Sequence, residues 1–319
     1  MPEHVVISGG GIAGTTAALA LRTAGIPVTV LESRPARHGE GSVVRLNPNG
    51  MDALRAVGAH QPIISESFPL VRTERVSPDG ERIGYALAAD PASERGLPRV
   101  LHWAVLSRLL REQAIERGAT FRHGSTVVDA DDGQAVLDSG ERVEGDLLVG
   151  ADGVHSMVRD RIDPNAPKPE RIGTRTVYGF AARPNCEPPP PEILRAQLGA
   201  KAFFAATREN RSGGCFWFTS LPAPERGESG DVERLRAELL ELYADDGGFA
   251  ATIVANSDSI LSFDDHALPS LPRWHDGRMI VIGDALQWLL PPPSRVPRWR
   301  WRTGWNSRAA CAICPPPKR

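Results

Sequence analysis

Cysteine is scarce, with four in 319 residues. Cys186 and Cys215 are isolated, and Cys311 and Cys314 share a CxxC spacing only within an anomalous final stretch, so no disulfide framework is expected. Long apolar runs are missing, and no segment approaches the roughly 18 residues that would cross a bilayer. The first strand follows the initial Met almost at once, without the basic and apolar segments of a secretory leader, which makes a cytoplasmic location the default expectation. No spacing of His, Cys, Asp and Glu suggests a metal site, and no Ser/His/Asp set suggests nucleophilic catalysis. His102, His155, His266 and His275 read as structural or solvent-exposed. What remains is ordinary for a globular enzyme of one large or two moderate domains, at 41% hydrophobic and 24% charged residues.

Acidic residues also disappear after Asp284. The formal net charge of -2 hides a division: residues 1–284 hold 30 Lys and Arg against 39 Asp and Glu, and residues 285–319 hold seven basic residues and no acidic one. The same stretch carries four of the seven Trp and seven of the 28 Pro. A basic, Trp-rich tail ordinarily suggests nucleic acid or a membrane surface. Here a different explanation, given below, leads to the expectation of neither partner.

The informative segment is the first 32 residues. An apolar strand, Val5-Val6-Ile7, runs into Gly9-Gly10-Gly11-Ile12-Ala13-Gly14, and a second strand, Val28-Thr29-Val30-Leu31, ends on Glu32. This is a dinucleotide-binding pattern. Gly9 permits a tight turn, Gly11 lets backbone approach a pyrophosphate, and Gly14 lets the following helix pack close to the strand. The N–H groups opening that helix favour phosphate. Glu32 is placed to accept from a ribose 2′-hydroxyl and repels a 2′-phosphate, which points to FAD or NAD in this half rather than NADP.

Periodicity organises the remainder. A helix is expected from about Ala13 to Ala24, another through Val105, Leu106, Leu109, Leu110 and Ala114, and an amphipathic one over Val232 to Tyr243. Short strand candidates around Thr120, Val127, Ala135 and Val143 suggest an antiparallel meander before Leu147-Leu148-Val149. From about Arg175 to Leu271, longer strand candidates dominate, at 176–182, 201–207, 215–220 and 259–263. The strand Met279-Ile280-Val281-Ile282 reads as buried. The expected class is α/β, a Rossmann-like domain built from 1–70, 98–172 and 272–285, with an inserted, mostly antiparallel sheet domain from 71–97 and 173–271. Residues 286–319 are left as an aberrant tail.

Three segments taken together carry a family resemblance: the glycine loop with Glu32, Gly150-Ala151-Asp152-Gly153-Val154-His155-Ser156-Met157-Val158-Arg159, and Ile282-Gly283-Asp284-Ala285. In order and separation the chain resembles the single-component FAD-dependent aromatic hydroxylases, over roughly residues 4–285. The resemblance implies FAD, with Gly9, Gly11, Gly14 and Glu32 at the ADP half and Asp284 at the ribityl and pyrophosphate region. It implies a role for Asp152 toward both FAD and NAD(P)H, beside the alternative that this carboxylate merely fixes its own turn. Arg45 could approach the flavin or the nicotinamide cofactor or be a solvated loop residue, and Val127 could offer backbone contacts near the adenine. Where the family places an Arg before the helix of Val105, this chain has Trp103, and Arg108 is the candidate substitute. Phe216-Trp217-Phe218 suits either the family's substrate domain or an ordinary core.

The implied activity is hydroxylation of a small aromatic or polycyclic phenolic compound, using NAD(P)H and O2 through a flavin C4a-hydroperoxide, with the chemistry belonging chiefly to the flavin. Two alternatives stand beside it: an FAD-dependent oxidoreductase without oxygen insertion, and a non-catalytic remnant whose basic tail binds a partner.

The tail departs from the family, in which GDA leads to a His, a Pro, a Gly-rich loop and a helix much like MALEDGLELA. Tryptophan has a single codon, so moving the frame back one base converts each Trp to a Met, Leu or Val codon. From the last base of Arg298 into Arg308 the shifted frame can read MALEDGLELA. A frameshift, in the gene or its sequencing, is therefore the expected origin of the tail. On that reading the flavin-ring end is impaired and FAD is held weakly.

Overall fold

A computed structural model describes residues 2–35, 43–89, 96–209, 213–223 and 231–287. The tail from 288 onward, with Cys311 and Cys314, and the glycines at 39 and 41 lie outside them. The chain divides into two compact units, one of residues 1–66, 101–170 and 266–319, the other of 67–100 and 171–265. No helix among the described residues is long and apolar enough to cross a membrane.

The first unit is built on a six-stranded sheet. Strand β1 (Val5–Ser8) lies at its centre, flanked by β2 (Val28–Glu32) on one side and the strand Leu147–Gly150 on the other. All three are parallel, as are Thr120–His123 beyond β2 and Met279–Val281 beyond Leu147–Gly150, and His275–Asp276 closes one edge antiparallel. Val5, Val6 and Ile7 have no exposed surface, as befits a continuous apolar run covered on both faces. One face carries helix α1 (Ile12–Thr23) and the helix Trp103–Glu116, whose Leu106, Leu109, Leu110 and Ala114 join Ala18 and Leu19 in one core. The other carries the helix Met157–Ile162 and a three-stranded antiparallel sheet, with Val6, Ala135, Leu148, Val158 and Val281 in a second core.

Two expectations are corrected here. The strand at Thr120 does not belong to the meander: it pairs in parallel with β2, Thr120 beside Thr29 and His123 beside Glu32. Only Val127–Asp131, Gln134–Leu137 and Arg142–Val143 form the antiparallel sheet. Of the strand read as wholly buried, Met279 and Val281 are buried, and Ile280 and Ile282 only partly so.

The second unit is a seven-stranded, mostly antiparallel sheet with one parallel pairing, Ile193–Leu198 against Arg72–Val76. The helices Val232–Leu242 and Ala250–Ala255 cover one face, over a core containing Phe204, Trp217, Leu239 and Tyr243. Asp231 caps the first of them by accepting from the Glu233 N–H at 3.0 Å. The connection at 209–214 is closed by the Glu209 N–H donating to the Gly214 carbonyl.

Candidate functional site

In the sheet order, the chain passes from β1 to β2 on one side and returns through Leu147–Gly150 and Met279–Val281 on the other. Such a reversal opens a crevice at the carboxyl ends of the strands, which is where ligands of open α/β sheets bind. The four segments that emerge there are tied together by backbone: Gly9 N–H to Leu31, Ala151 N–H to Ser8 and Ile282 N–H to Gly150, at 2.7 to 2.9 Å. The glycine loop, Asp152 and the Gly283–Ala285 turn are therefore brought to one end of one sheet.

The three expected glycines meet different constraints. Gly9 has φ +104°, and a Cβ there would lie 2.3 Å from the Ala151 carbonyl oxygen. A Cβ on Gly14 would lie 1.9 Å from the Gly9 carbonyl oxygen, so this residue allows α1 to close against the loop. Gly11, the residue that caps α1, has no described residue within 4 Å of the place its Cβ would take. Gly9 and Gly14 thus serve the packing of the loop, while Gly11 leaves open space at the N-terminus of a twelve-residue helix. The backbone N–H groups at such a helix N-terminus suit a phosphate group.

Glu32, at the end of β2, is partly buried. One carboxylate oxygen accepts from the Gly10 N–H at 2.8 Å and the other from the Arg34 N–H at 2.9 Å. Gly10 was not singled out by the sequence, yet it ties the acidic residue to the loop. A Cβ on Gly10 would lie 3.0 Å from the carboxylate. The Glu32 carbonyl accepts from the Ser125 N–H at 3.0 Å, which brings the segment leading into Val127 to the same strand end.

Asp152 follows the strand Leu147–Gly150. Its Oδ2 accepts from the N–H groups of Met157 and Val158 at 2.9 and 3.2 Å, fixing the turn into the helix Met157–Ile162. Its Oδ1 is buried and has no hydrogen-bond partner among the described residues. Burial raises the carboxyl above its ordinary value, against the opposing hydrogen bonds from Ser156 and the backbone. The structure therefore shows the turn-fixing role through Oδ2.

Arg159 was missed. It is 1% exposed, and its Nη1 donates to the Ala285 carbonyl at 3.3 Å, across 126 positions of sequence. Its Nε is buried without a hydrogen-bond partner among the described residues, and the Asp160 carboxylate lies 3.8 Å away. Desolvation lowers its pKa, opposed by the charges of Asp160 and Asp152. The signal in the sequence was an Arg between Val158 and Ile162 in a short helix capped by Ser156, whose hydroxyl accepts from the Arg159 N–H at 3.0 Å. This grip ties the residue to Ala285, the last residue of the Gly283–Ala285 turn that holds Asp284.

The remaining candidates are placed less tightly. Arg45 lies on the strand Val43–Leu46, partly buried, with its pKa lowered by desolvation. Arg108 lies on the outer part of its helix, half exposed and paired with Glu112 one turn on at 2.9 Å. In Phe216-Trp217-Phe218 the two readings separate by residue. Trp217 belongs to the helix-covered core and donates to Ser257 at 2.7 Å. Phe216 and Phe218 alternate onto the opposite face, where rings of Tyr178, Phe180 and Phe203 lie 5.0 to 6.4 Å from them.

The residues present fit a flavin dinucleotide: open space at Gly11, an acidic group at the end of β2, and, at the same end of the sheet, a buried Asp152 oxygen and Arg159 nitrogen without hydrogen bonds among the described residues. The sequence profile of the family described as FAD binding domain matches residues 3–293. Aurachin C monooxygenase/isomerase of Stigmatella aurantiaca is 29% identical over 302 residues, covering 90% of this chain and 75% of that protein. The chloroplastic zeaxanthin epoxidase of Oryza sativa subsp. japonica is 30% identical over 320 residues, covering 90% of this chain and 45% of its own length. Among solved structures, CtdE in complex with FAD and a substrate superposes with a TM-score of 0.79 at 20% identity, covering 96% of this chain and 78% of that one. HpxO of Klebsiella pneumoniae with FAD and uric acid gives 0.77 at 23% identity, covering 89% and 73%. At these identities the structures establish the fold alone.

Proposed function

Because the chain belongs to the FAD binding domain family, among FAD-dependent monooxygenases, we propose that it oxygenates a small aromatic or polycyclic phenolic compound at the expense of NAD(P)H. The observation that carries the cofactor half of this reading is the pairing of the open Gly11 position with the Glu32 carboxylate at the end of one sheet. Gly11 and the first N–H groups of α1 receive the pyrophosphate, and Glu32 receives a ribose hydroxyl. Asp284 binds the ribityl and pyrophosphate region, with Arg159 holding its turn. The second oxygen of Asp152 accepts from cofactor or from bound NAD(P)H, and Arg45 supplies positive charge near the flavin. Val127 offers backbone near the adenine, and Arg108 is the weakest of the set because Glu112 already holds it. Bound there, the flavin supplies the redox and oxygen-activating chemistry; the protein's part is to orient it and keep water out. The aromatic face of Tyr178, Phe216 and Phe218 favours a planar substrate.

On this account the tail, within residues 286–319, is an out-of-frame reading of the gene, and resequencing the codons from Asp284 onward tests this directly. Activity is tested by titrating the purified chain and a frame-corrected chain with FAD, then following NADH and NADPH oxidation with and without phenolic compounds. The expected outcome is stronger flavin binding in the corrected chain and substrate-dependent formation of a product heavier by one oxygen atom. Cofactor oxidation that no phenol stimulates would favour an oxidoreductase without oxygen insertion. Equal flavin content in both chains would refute the weakened flavin binding, and not the origin of the tail.

A further inference from the structure

The seven-stranded sheet of the second unit ends on the strand Arg82–Leu87, which among the described residues pairs only with Arg72–Val76. Ile83, Tyr85 and Leu87 on this strand are 57%, 65% and 52% exposed. The Ala88 N–H donates inward to the Val71 carbonyl at 2.9 Å. The alternation of an antiparallel ladder then turns the N–H and C=O groups of Leu87 and Tyr85 outward. Edges of this kind are normally guarded by charge, proline or a bulge. Here the irregularity lies at the start of the strand, between Arg75 and Val76 of its partner. From Ile83 to Ala89 the sequence holds neither a charge nor a proline.

We propose that this edge docks a second copy of the chain, strand against strand and antiparallel about Tyr85. The sequence is self-complementary in that register. Tyr85 meets its own copy, Ile83 meets Leu87, and Gly84 meets Ala86. The only charges nearby, Glu81 and Arg82, fall opposite Ala89 and Ala88, so no like charges oppose each other. The symmetry closes, since each copy has one such edge. Three half-exposed side chains per copy fall short of the roughly 800 Å² per partner of a standard interface. The association is therefore reversible, and its main-chain hydrogen bonds set the register.

Sedimentation equilibrium of the full chain over about a hundredfold range of concentration should show a monomer–dimer equilibrium, and amide exchange at residues 83–87 should slow as concentration rises. Tyr85→Lys sets two ammonium groups against each other across the two-fold and should weaken the dimer by about tenfold or more. Leu87→Pro removes an outward N–H without touching the ladder to Arg72–Val76 and should act in the same direction. A monomer at every concentration would overturn the proposal, as would a dimer that neither variant weakens. Protection of these amides that persists on dilution would mean that the chain's own residues cover the edge, and would overturn it too.

Discussion

At the glycine loop, Gly9 and Gly14 sit against backbone at distances that no Cβ could enter, whereas around Asp152 and Arg159 buried polar atoms remain without hydrogen bonds among the described residues. The first region is held by its own packing, and Glu32 already spends both oxygens on backbone N–H groups. In the second, Arg159 reaches across 126 positions to the Ala285 carbonyl, adding a side-chain tether to the backbone pairing of the strands Leu147–Gly150 and Met279–Val281. A site can thus be complete in shape at one end and depend on long-range tethers at the other. Substitutions should separate these two kinds of construction.

The largest effect is expected at Gly14. Its Cβ would need space held by the Gly9 carbonyl, so Gly14→Ala must push α1 off the loop, at a cost of about 3 kcal/mol or more. Thermal melting of the protein without flavin should show a large loss of stability, and flavin should no longer co-purify. An unchanged melt would mean that the loop can open, and would erase the contrast with Gly11.

Gly11→Ala should do the opposite. No described residue lies within 4 Å of the added methyl, so the stability of the flavin-free protein should stay within about 1 kcal/mol of the parent. FAD affinity, read from flavin fluorescence, should fall by about ten- to a hundredfold, because the methyl occupies the approach of the pyrophosphate. Undiminished affinity would remove Gly11 from the site.

At the tethered end, Arg159→Met removes the donor to the Ala285 carbonyl and should loosen the Asp284 turn, lowering FAD affinity by about tenfold. Arg159→Lys keeps a charge but not the planar reach of the guanidinium, and should recover only part of the loss. If both variants bind FAD as the parent does, Asp284 holds its place without help.

The same contrast explains what could be read in advance. The helix expected from Ala13 to Ala24 is observed as Ile12–Thr23, and that from Val232 to Tyr243 as Val232–Leu242, because apolar periodicity and caps are local. The strand Ile193–Leu198 escaped notice because Ile193, Leu194, Ala196 and Gln197 are all buried, which erases the alternation that marks a half-buried strand. The strand at Thr120 was legible as a strand but not in its pairing, since only the tertiary fold decides that it lies beside β2. In the candidate site, Gly9, Gly11, Gly14 and Glu32 were visible as a spaced pattern. Arg159 stood in the segment 150–159 without a role, because its partner is the backbone carbonyl of Ala285, which side-chain types do not reveal.

The smallest effect concerns Asp152. Burial raises its carboxyl above the ordinary 3.8, so the folded protein holds that proton more tightly than the unfolded chain. Between the ordinary value and the raised one the native state binds more protons, and stability falls as pH rises through that window. Above it the penalty of the buried carboxylate is present in full. Asp152→Asn keeps an acceptor for the Met157 and Val158 N–H groups and carries no charge. The melting temperature of the flavin-free variant relative to the parent should therefore increase as pH rises from about 3.8 and then level off. A difference independent of pH would mean that Asp152 is solvated in the folded state, and its second oxygen would then no longer distinguish the tethered end of the site from the packed one.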